Sequence, residues 1–285
     1  MIDSFTYFNE QDIFFLRLEY LNPYVDKFVI VELDTTFSLQ PHTKTFDSVY
    51  SKLPTDIKSK IVYNFITVDP DKVRYEGKAG DIDYKNKSRI IDLYMRNGKM
   101  ELVKSISSTG YFMMSDIDEF WDPKKIKEAK QMIDNKGSMC WKQDMRSAFI
   151  DWKSGIEYWH GTKGSTIDQV DIDTVTQNFY VSKGKSEGYY KDKIVEGGWH
   201  FTLMGDAKTK SEQISAKREG PSWEEKLNLT SEQISFGILN DKYNTVVKKG
   251  KMRVRVVPEN YKLDPVLYDL SKKYTGLWSN GIKPI

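Results

Sequence analysis

Ser115-Asp116-Ile117-Asp118-Glu119 follows directly on the apolar run Tyr111-Phe112-Met113-Met114. Two carboxylates one residue apart, leaving a buried strand into a turn, can both reach one divalent cation or one pyrophosphate–metal complex. Oxygen ligands of this kind suit Mg²⁺ or Mn²⁺, which keep several waters and bind substrate phosphates. Asp116 and Asp118 are therefore the candidate metal ligands. The same spacing recurs at Asp69-Pro70-Asp71, Asp81-Ile82-Asp83 and Asp171-Ile172-Asp173. None of these ends a long hydrophobic strand, and they read as solvated loop or helix acids. A third candidate ligand is His200, in Glu196-Gly197-Gly198-Trp199-His200-Phe201, where paired glycines permit close backbone approach. Its imidazole would complete a metal shell with the carboxylates, against the competing reading of a strand histidine bonded within the core. His160 and His42 read as structural or exposed.

The elements that must position these groups follow from the pattern. Ile2 to Phe8 reads as a strand, and a helix follows from Glu10 until Asn22-Pro23 stops it. Lys27–Glu32 and Ile61–Val68 are continuous apolar runs of the kind buried on both faces. The spacing predicts a helix over 83–106, broken near Asn97-Gly98, then the strand 111–114 and a helix opened by Asp122-Pro123. Further strands are expected at 138–141, 146–152, 199–204 and 252–257, and helices at 211–218 and 231–240. The alternation of strand and helix in the first half implies an α/β fold with a mostly parallel central sheet flanked by helices. In such sheets the ligand lies beyond the carboxyl ends of the strands.

The 285 residues suffice for one sizeable domain, and no repeat or linker divides them. We expect a domain over 1–257 and a C-terminal extension, 258–285, packed on it or trailing. Forty-three basic against 41 acidic residues argue against a chain built to bind nucleic acid. The single Cys140 excludes an internal disulfide and a Cys-based zinc site. No apolar run approaches the length of a membrane span, and no signal peptide is legible. The expectation is a soluble, cytoplasmic protein, of a composition compatible with a bacterial or viral source. Aromatic residues make up 13% of the chain, which suits stacking on flat, hydroxylated ligands and equally suits a large core.

Asp116-Ile117-Asp118-Glu119 after an apolar strand, Gly198-Trp199-His200 downstream, and Phe28–Glu32 with Thr36-Phe37 near the start together resemble glycosyltransferase family 17. The best-known members of that family add a bisecting β-1,4-linked N-acetylglucosamine to the core mannose of N-glycans. Asn9-Glu10, Met145-Arg146-Ser147, Trp152 and Gly164–Asp168 fit the pattern too, and the similarity runs from about Phe5 to Asn244. There are departures: Asn86 stands where family members carry a Glu, no histidine follows the stretch Ala216–Gly220, and the proline after the acidic motif is postponed to Pro123. The resemblance implies a GT-A-like single domain, with a Rossmann-like nucleotide-sugar half beside an acceptor half. It implies a metal-dependent, inverting transfer from a nucleotide-sugar donor, a UDP-sugar first among them, to a glycan acceptor.

Under that reading Glu32, Arg89, Asp116, Arg146, Trp199 and Lys217 are candidates for donor binding. Arg218 is a further cation within reach of the leaving phosphate. The inverting step needs a carboxylate to take the acceptor proton, and the candidates are Glu196, Asp151, Glu119 and Asp144. Trp152, Trp159, Trp199 and Trp223 are candidate stacking platforms. Two alternatives stand beside it. One is metal-dependent phosphoryl transfer or phosphatase chemistry, although Glu119-Phe120-Trp121 follows the acids where aspartyl-phosphate enzymes place a small hydroxylated residue. The other is a non-catalytic carbohydrate-binding protein. No Walker lysine motif or Gly-x-Gly-x-x-Gly is present, which removes kinase and dehydrogenase readings of those types.

Overall fold

The computed structural model describes residues 1–36, 40–68, 87–169, 192–205 and 255–280, together with Thr209 and Gln213. The first four strands are β1 (Ile2–Thr6), β2 (Lys27–Leu33), β3 (Ile61–Ile66) and β4 (Tyr111–Met114). Helix α1 (Gln11–Leu21) links β1 to β2, the short α2 (Phe46–Tyr50) and α3 (Thr55–Lys58) precede β3, and α4 (Lys87–Ile106) precedes β4. Then come β5 (Glu119–Phe120), α5 (Ile126–Lys136), β6 (Ser138–Ser147), β7 (Phe149–Thr166), β8 (Ile194–Thr202), β9 (Arg255–Val256) and α6 (Pro265–Ser271).

Among the described residues the sheet runs β3-β2-β1-β4-β7-β6-β8-β5, with β9 paired to β7. The segment β3-β2-β1-β4 is parallel throughout, as the alternating first half of the sequence requires. Beyond β4 the sheet is mixed: β7 is antiparallel to β4 and β6, β8 is parallel to β6, and β5 is antiparallel to β8. The α/β class is as expected. The strands expected at 138–141 and 146–152 are parts of two longer ones, joined by a turn in which Ala148 adopts φ 69. The expected helix 231–240, the start of the strand at 252–257 and, apart from Gln213, the helix 211–218 lie outside the described residues.

Both faces of the parallel half are covered. Phe5, Phe28, Ile30 and Met113 join the core that contains Ile13, Phe14 and Leu21 of α1. Ile2, Val29, Phe112 and Met114 pack with Met100 and Val103 of α4, and Val31 and Leu33 with Ile91 and Met95. Two-sided burial is why β2 and β4 carry continuous apolar runs rather than alternating ones. At the far end of the chain, α6 is capped by Asp264, whose carboxylate accepts from the backbone N–H groups of Val266 and Leu267. Residues 264–278 lie against α1: Lys273 Nζ and Tyr274 OH both donate to the Glu19 carboxylate, at 2.7 and 2.9 Å.

One local irregularity sets the position of the candidate histidine. Opposite Lys142–Asp144, β8 carries an extra residue, so that Lys142 pairs with Glu196 and Asp144 with Trp199. The bulge is made by Gly197 and Gly198. Gly198 has φ +88, and a Cβ there would lie 2.2 Å from the Phe120 carbonyl oxygen. Only glycine fits, because β5 presses its backbone onto this point. Gly198→Ala is expected to cost about 1–3 kcal/mol, read as a lower urea midpoint at constant m-value. A variant as stable as the parent would remove the steric argument.

Candidate active site

Because β1 connects to β2 on one side while the chain later returns to place β4 on the other, the strand order changes direction between β1 and β4. At such a point the loops leaving the carboxyl ends diverge and open a crevice. The segments found there are Tyr7–Glu10 after β1 and Ser115–Glu119 after β4.

The second segment is a turn. The Glu119 N–H donates to the Asp116 carbonyl at 3.1 Å, and the Asp118 carbonyl accepts from the Phe201 N–H at 2.8 Å. Its other carbonyls converge on one cation. Arg17 Nη1 donates to the carbonyls of Asp116 (3.3 Å), Ile117 (3.1 Å) and Glu119 (2.7 Å), while Nη2 donates to Ser115 Oγ at 2.6 Å. The same guanidinium forms a two-pronged ion pair with Asp3 of β1, Nε to Oδ2 at 2.9 Å and Nη2 to Oδ1 at 2.7 Å, both side chains fully buried. Trp121 Nε1 also donates to Asp3 Oδ1, at 3.0 Å. From the opposite side Lys99 of α4, itself buried, donates to the Ser115 carbonyl at 3.1 Å. Burial, with Arg96 nearby, lowers its pKa to about 8.

With its carbonyls held inward, the turn directs its acids to the other side. Asp116 is exposed. Asp118 Oδ2 lies 3.3 Å from His200 Nε2, with the side chains 24% and 10% exposed. Burial alone would lower the imidazole pKa, but the Asp118 carboxylate outweighs it and raises it. Trp159 stands against His200, ring centroids 5.1 Å apart, and its Nε1 donates to Glu119 Oε1 at 2.8 Å. Glu119 Oε2 accepts from the Asp116 N–H at 3.2 Å. Burial first, and then Asp116, raise the Glu119 pKa. From the β1 loop comes Glu10, whose carboxylate accepts from the Phe8 N–H at 2.9 Å. Burial and the Asp118 charge raise its pKa well above the usual range. Phe8 in turn packs its ring 4.7 Å from that of His42, which belongs to the loop after β2.

The structure thus brings together Asp116, Asp118, Glu119 and His200 from the sequence-based set. The others stand elsewhere. Glu32 was expected to meet the donor, but both its oxygens are engaged within the protein. Oε1 accepts from His42 Nε2 (2.9 Å), the Thr45 N–H (2.7 Å) and Thr45 Oγ1 (2.6 Å), and Oε2 from the Phe46 N–H (3.2 Å) and Tyr63 OH (2.7 Å). Burial opposes its ionisation, and these bonds outweigh burial to lower its pKa. Arg146 is fully buried, donating to Asp144 at 2.7 Å, to the Ile150 carbonyl at 3.0 Å and to the Tyr261 carbonyl, so its place is in the interior rather than on a donor. Asp151 is likewise structural: its carboxylate accepts from the Ser279 N–H at 3.0 Å and from Ser279 Oγ. Trp152 is wholly buried.

Side-chain alternation separates the remaining candidates. Asp144 pairs with Trp199 and Met145 with His200, so Asp144, Trp199 and, across the bulge, Glu196 share the face of β6–β8 turned away from His200. Glu196 is held there by Lys142 at 2.6 Å, and Trp199 Nε1 donates to the Lys262 carbonyl at 2.7 Å. Lys217, Arg218, Trp223 and the side chain of Arg89 lie outside the described residues, as do the three acidic pairs at 69–71, 81–83 and 171–173.

Sequence reasoning missed Arg17, Glu10 and Lys99 as parts of the site. For Arg17 a signal existed: a cation on the apolar face of α1 and an acid within the apolar strand β1 each demand a buried partner.

In an α/β sheet of this kind the crevice at the topological switch point, here lined by carboxylates and a histidine, is where ligands bind. The sequence model of glycosyltransferase family 17 matches residues 1–168, and the chain belongs to that family. It is a glycosyltransferase. No curated protein matches it. Among solved structures, the crystal structure of S. aureus TarS 1–349 is similar at TM-score 0.36 and 9% identity, over 88% of this chain and 75% of that one, a likeness too distant to carry an argument. Among the described residues no helix is long and apolar enough to cross a membrane.

Arg17→Ala leaves Asp3 buried without its countercharge, and a loss of about 3–5 kcal/mol is expected. Equilibrium urea unfolding checks it, and a loss below 1 kcal/mol would mean that the pair does not hold the turn.

Proposed function

We propose that this glycosyltransferase moves a sugar from a nucleoside-diphosphate donor, a UDP-sugar in the first instance, to a hydroxyl of a glycan acceptor. The transfer proceeds with inversion and depends on Mn²⁺ or Mg²⁺. The observation that carries this is the Asp118 carboxylate set 3.3 Å from His200 Nε2 at the β1/β4 switch point. The parallel β3-β2-β1-β4 segment followed by mixed strands supports a GT-A-like division, with the donor over the parallel half.

The donor set fits a hard divalent ion. Asp118 would supply oxygen and His200 one nitrogen, with Asp116 exposed on the same turn. The Asp118–His200 separation suits two adjacent ligands of one octahedral ion, which lie about 3 Å apart. Among the described residues no group of three or more His, Cys, Asp or Glu side chains is arranged to hold a metal. Sites of one or two carboxylates, completed by substrate phosphates and water, are the usual form for Mg²⁺. Such an ion offsets the charge that gathers on a departing diphosphate.

The chain's own residues do the remainder. Asp116 and Asp118 hold negative charge at the mouth of the crevice, and Arg17 fixes the backbone from which both project. Trp159 closes one side of His200 and limits water there. Of the four carboxylates considered as base, Glu119 alone stands on the His200 side of the strands. We assign it the acceptor's proton, with Trp159 orienting it.

UDP with Mn²⁺ should stabilise the protein in a thermal-shift assay, by about 2.7 kcal/mol at one hundred times the dissociation constant, and EDTA should abolish the shift. Asp118→Asn should lose both the shift and transfer, the latter by about 10³-fold or more. Stabilisation by glycans alone, with no response to any nucleoside diphosphate, would favour the non-catalytic carbohydrate-binding reading. For Glu119→Gln, turnover should fall by about 10²-fold or more while KM for the donor holds. Unchanged kcat would transfer the base role to another group.

A further inference from the structure

A cleft of ≈ 410 Å³ opens beside β6, β7 and β8, lined by Lys142, Gln143, Asp144, Tyr158, Glu196 and Trp199 among others. Asp116, Asp118, Glu119 and His200 are not among its lining residues. The register explains why: Asp144, Glu196 and Trp199 occupy the face of these strands opposite to His200. Tyr158 pairs with Asp144 and so shares that face. The volume falls within the roughly 300–1,000 Å³ range of small-molecule sites.

Its charges are already balanced. Asp144 is held by Arg146 at 2.7 Å and by Lys153, and Glu196 by Lys142 at 2.6 Å. Lys142 Nζ also lies 4.6 Å over the Tyr158 ring. A phosphate or nucleotide would meet carboxylates and find these cations already occupied, and an apolar ligand would strip water from them. A neutral polyol suits the lining. Carboxylates fixed in place accept hydroxyl hydrogens in charge-assisted bonds, and ammonium groups donate to hydroxyl oxygens. Tyr158, 37% exposed, offers an aromatic edge at the rim.

We propose that this cleft is a second saccharide-binding site, separate from the metal-side crevice, that engages a sugar unit of a glycan without donor or metal. The proposal goes beyond the transfer reaction, since it needs neither the acids of the β4 turn nor His200.

The test is retention of the full chain on a printed array of defined glycans, in EDTA and without nucleotide. Wild type and Asp118→Asn should hold the same glycans equally. Tyr158→Ala and Glu196→Gln, folded by circular dichroism, should hold them about tenfold more weakly or less, the loss of one good contact. Retention of no glycan by wild type would overturn the proposal. So would binding that Asp118→Asn abolishes, or binding that both cleft variants leave intact. Because metal and donor are absent, failure here leaves the UDP–Mn²⁺ response of the crevice to stand or fall separately.

Discussion

A single guanidinium organises the end of the sheet at which the acidic turn lies. Arg17 reaches from α1 to an acid in the middle of β1 and to three carbonyls and a hydroxyl of the turn after β4. Buried ion pairs often add little net stability, because desolvation consumes the Coulombic gain. Here the pair does something that an apolar replacement of equal volume would not. It gives three carbonyls of one turn a common donor, and so fixes a tight turn where hydrogen-bonded sheet ends. The Arg17 carbon Cζ also lies 4.7 Å from the Phe5 ring and 5.5 Å from that of Phe120, so the charge is walled by aromatics. The backbone of the acidic motif is held by a cation that is itself wholly buried.

The topology makes that arrangement useful. Parallel strands bring all their carboxyl ends to one edge, and the reversal of order between β1 and β4 is where two neighbouring loops are free to part. Helix α1 begins beside one of those loops, so its interior residue Arg17 can brace the other. Beyond β7 the requirements change. The long antiparallel β6–β7 pair and the parallel β8 carry His200 back to the turn, and the glycine bulge lets β5 press against β8 at the register that sets His200 opposite Glu119. The two halves are thus joined at the site by a strand pair only two residues long.

The parallel half was legible in the sequence because strands buried on both faces carry unbroken apolar runs. The acidic pair was legible because it ends one of them. What separated Asp116 and Asp118 from their look-alikes was this context rather than spacing. The surroundings of the other candidate residues were less legible, because proximity to a strand end in sequence does not say which way a side chain points. Asp144 and Asp151 sit on consecutive strands, yet one faces a cleft away from His200 and the other holds Ser279. Glu32 looked available at a strand end and instead satisfies a loop. The continuous β7 was hidden by the polar and glycine residues scattered over 153–164, where pairing with β6 overrides local preference. Helix α6 announced itself with Asp264-Pro265, a cap and first-turn proline of the same kind as Asp122-Pro123.

The ion pair between Lys273 and Glu19, separated by 254 residues, ties the first helix, α1, to the segment that follows α6. Contacts of such span come late in folding, since the entropy of closing so large a loop must be overcome before they return anything. During synthesis α1 emerges long before its partners at 264–278, so its exposed flank waits through most of translation for its cover. The brace of the acidic turn therefore rests on a helix whose own packing is completed only after residues 264–278 have been made.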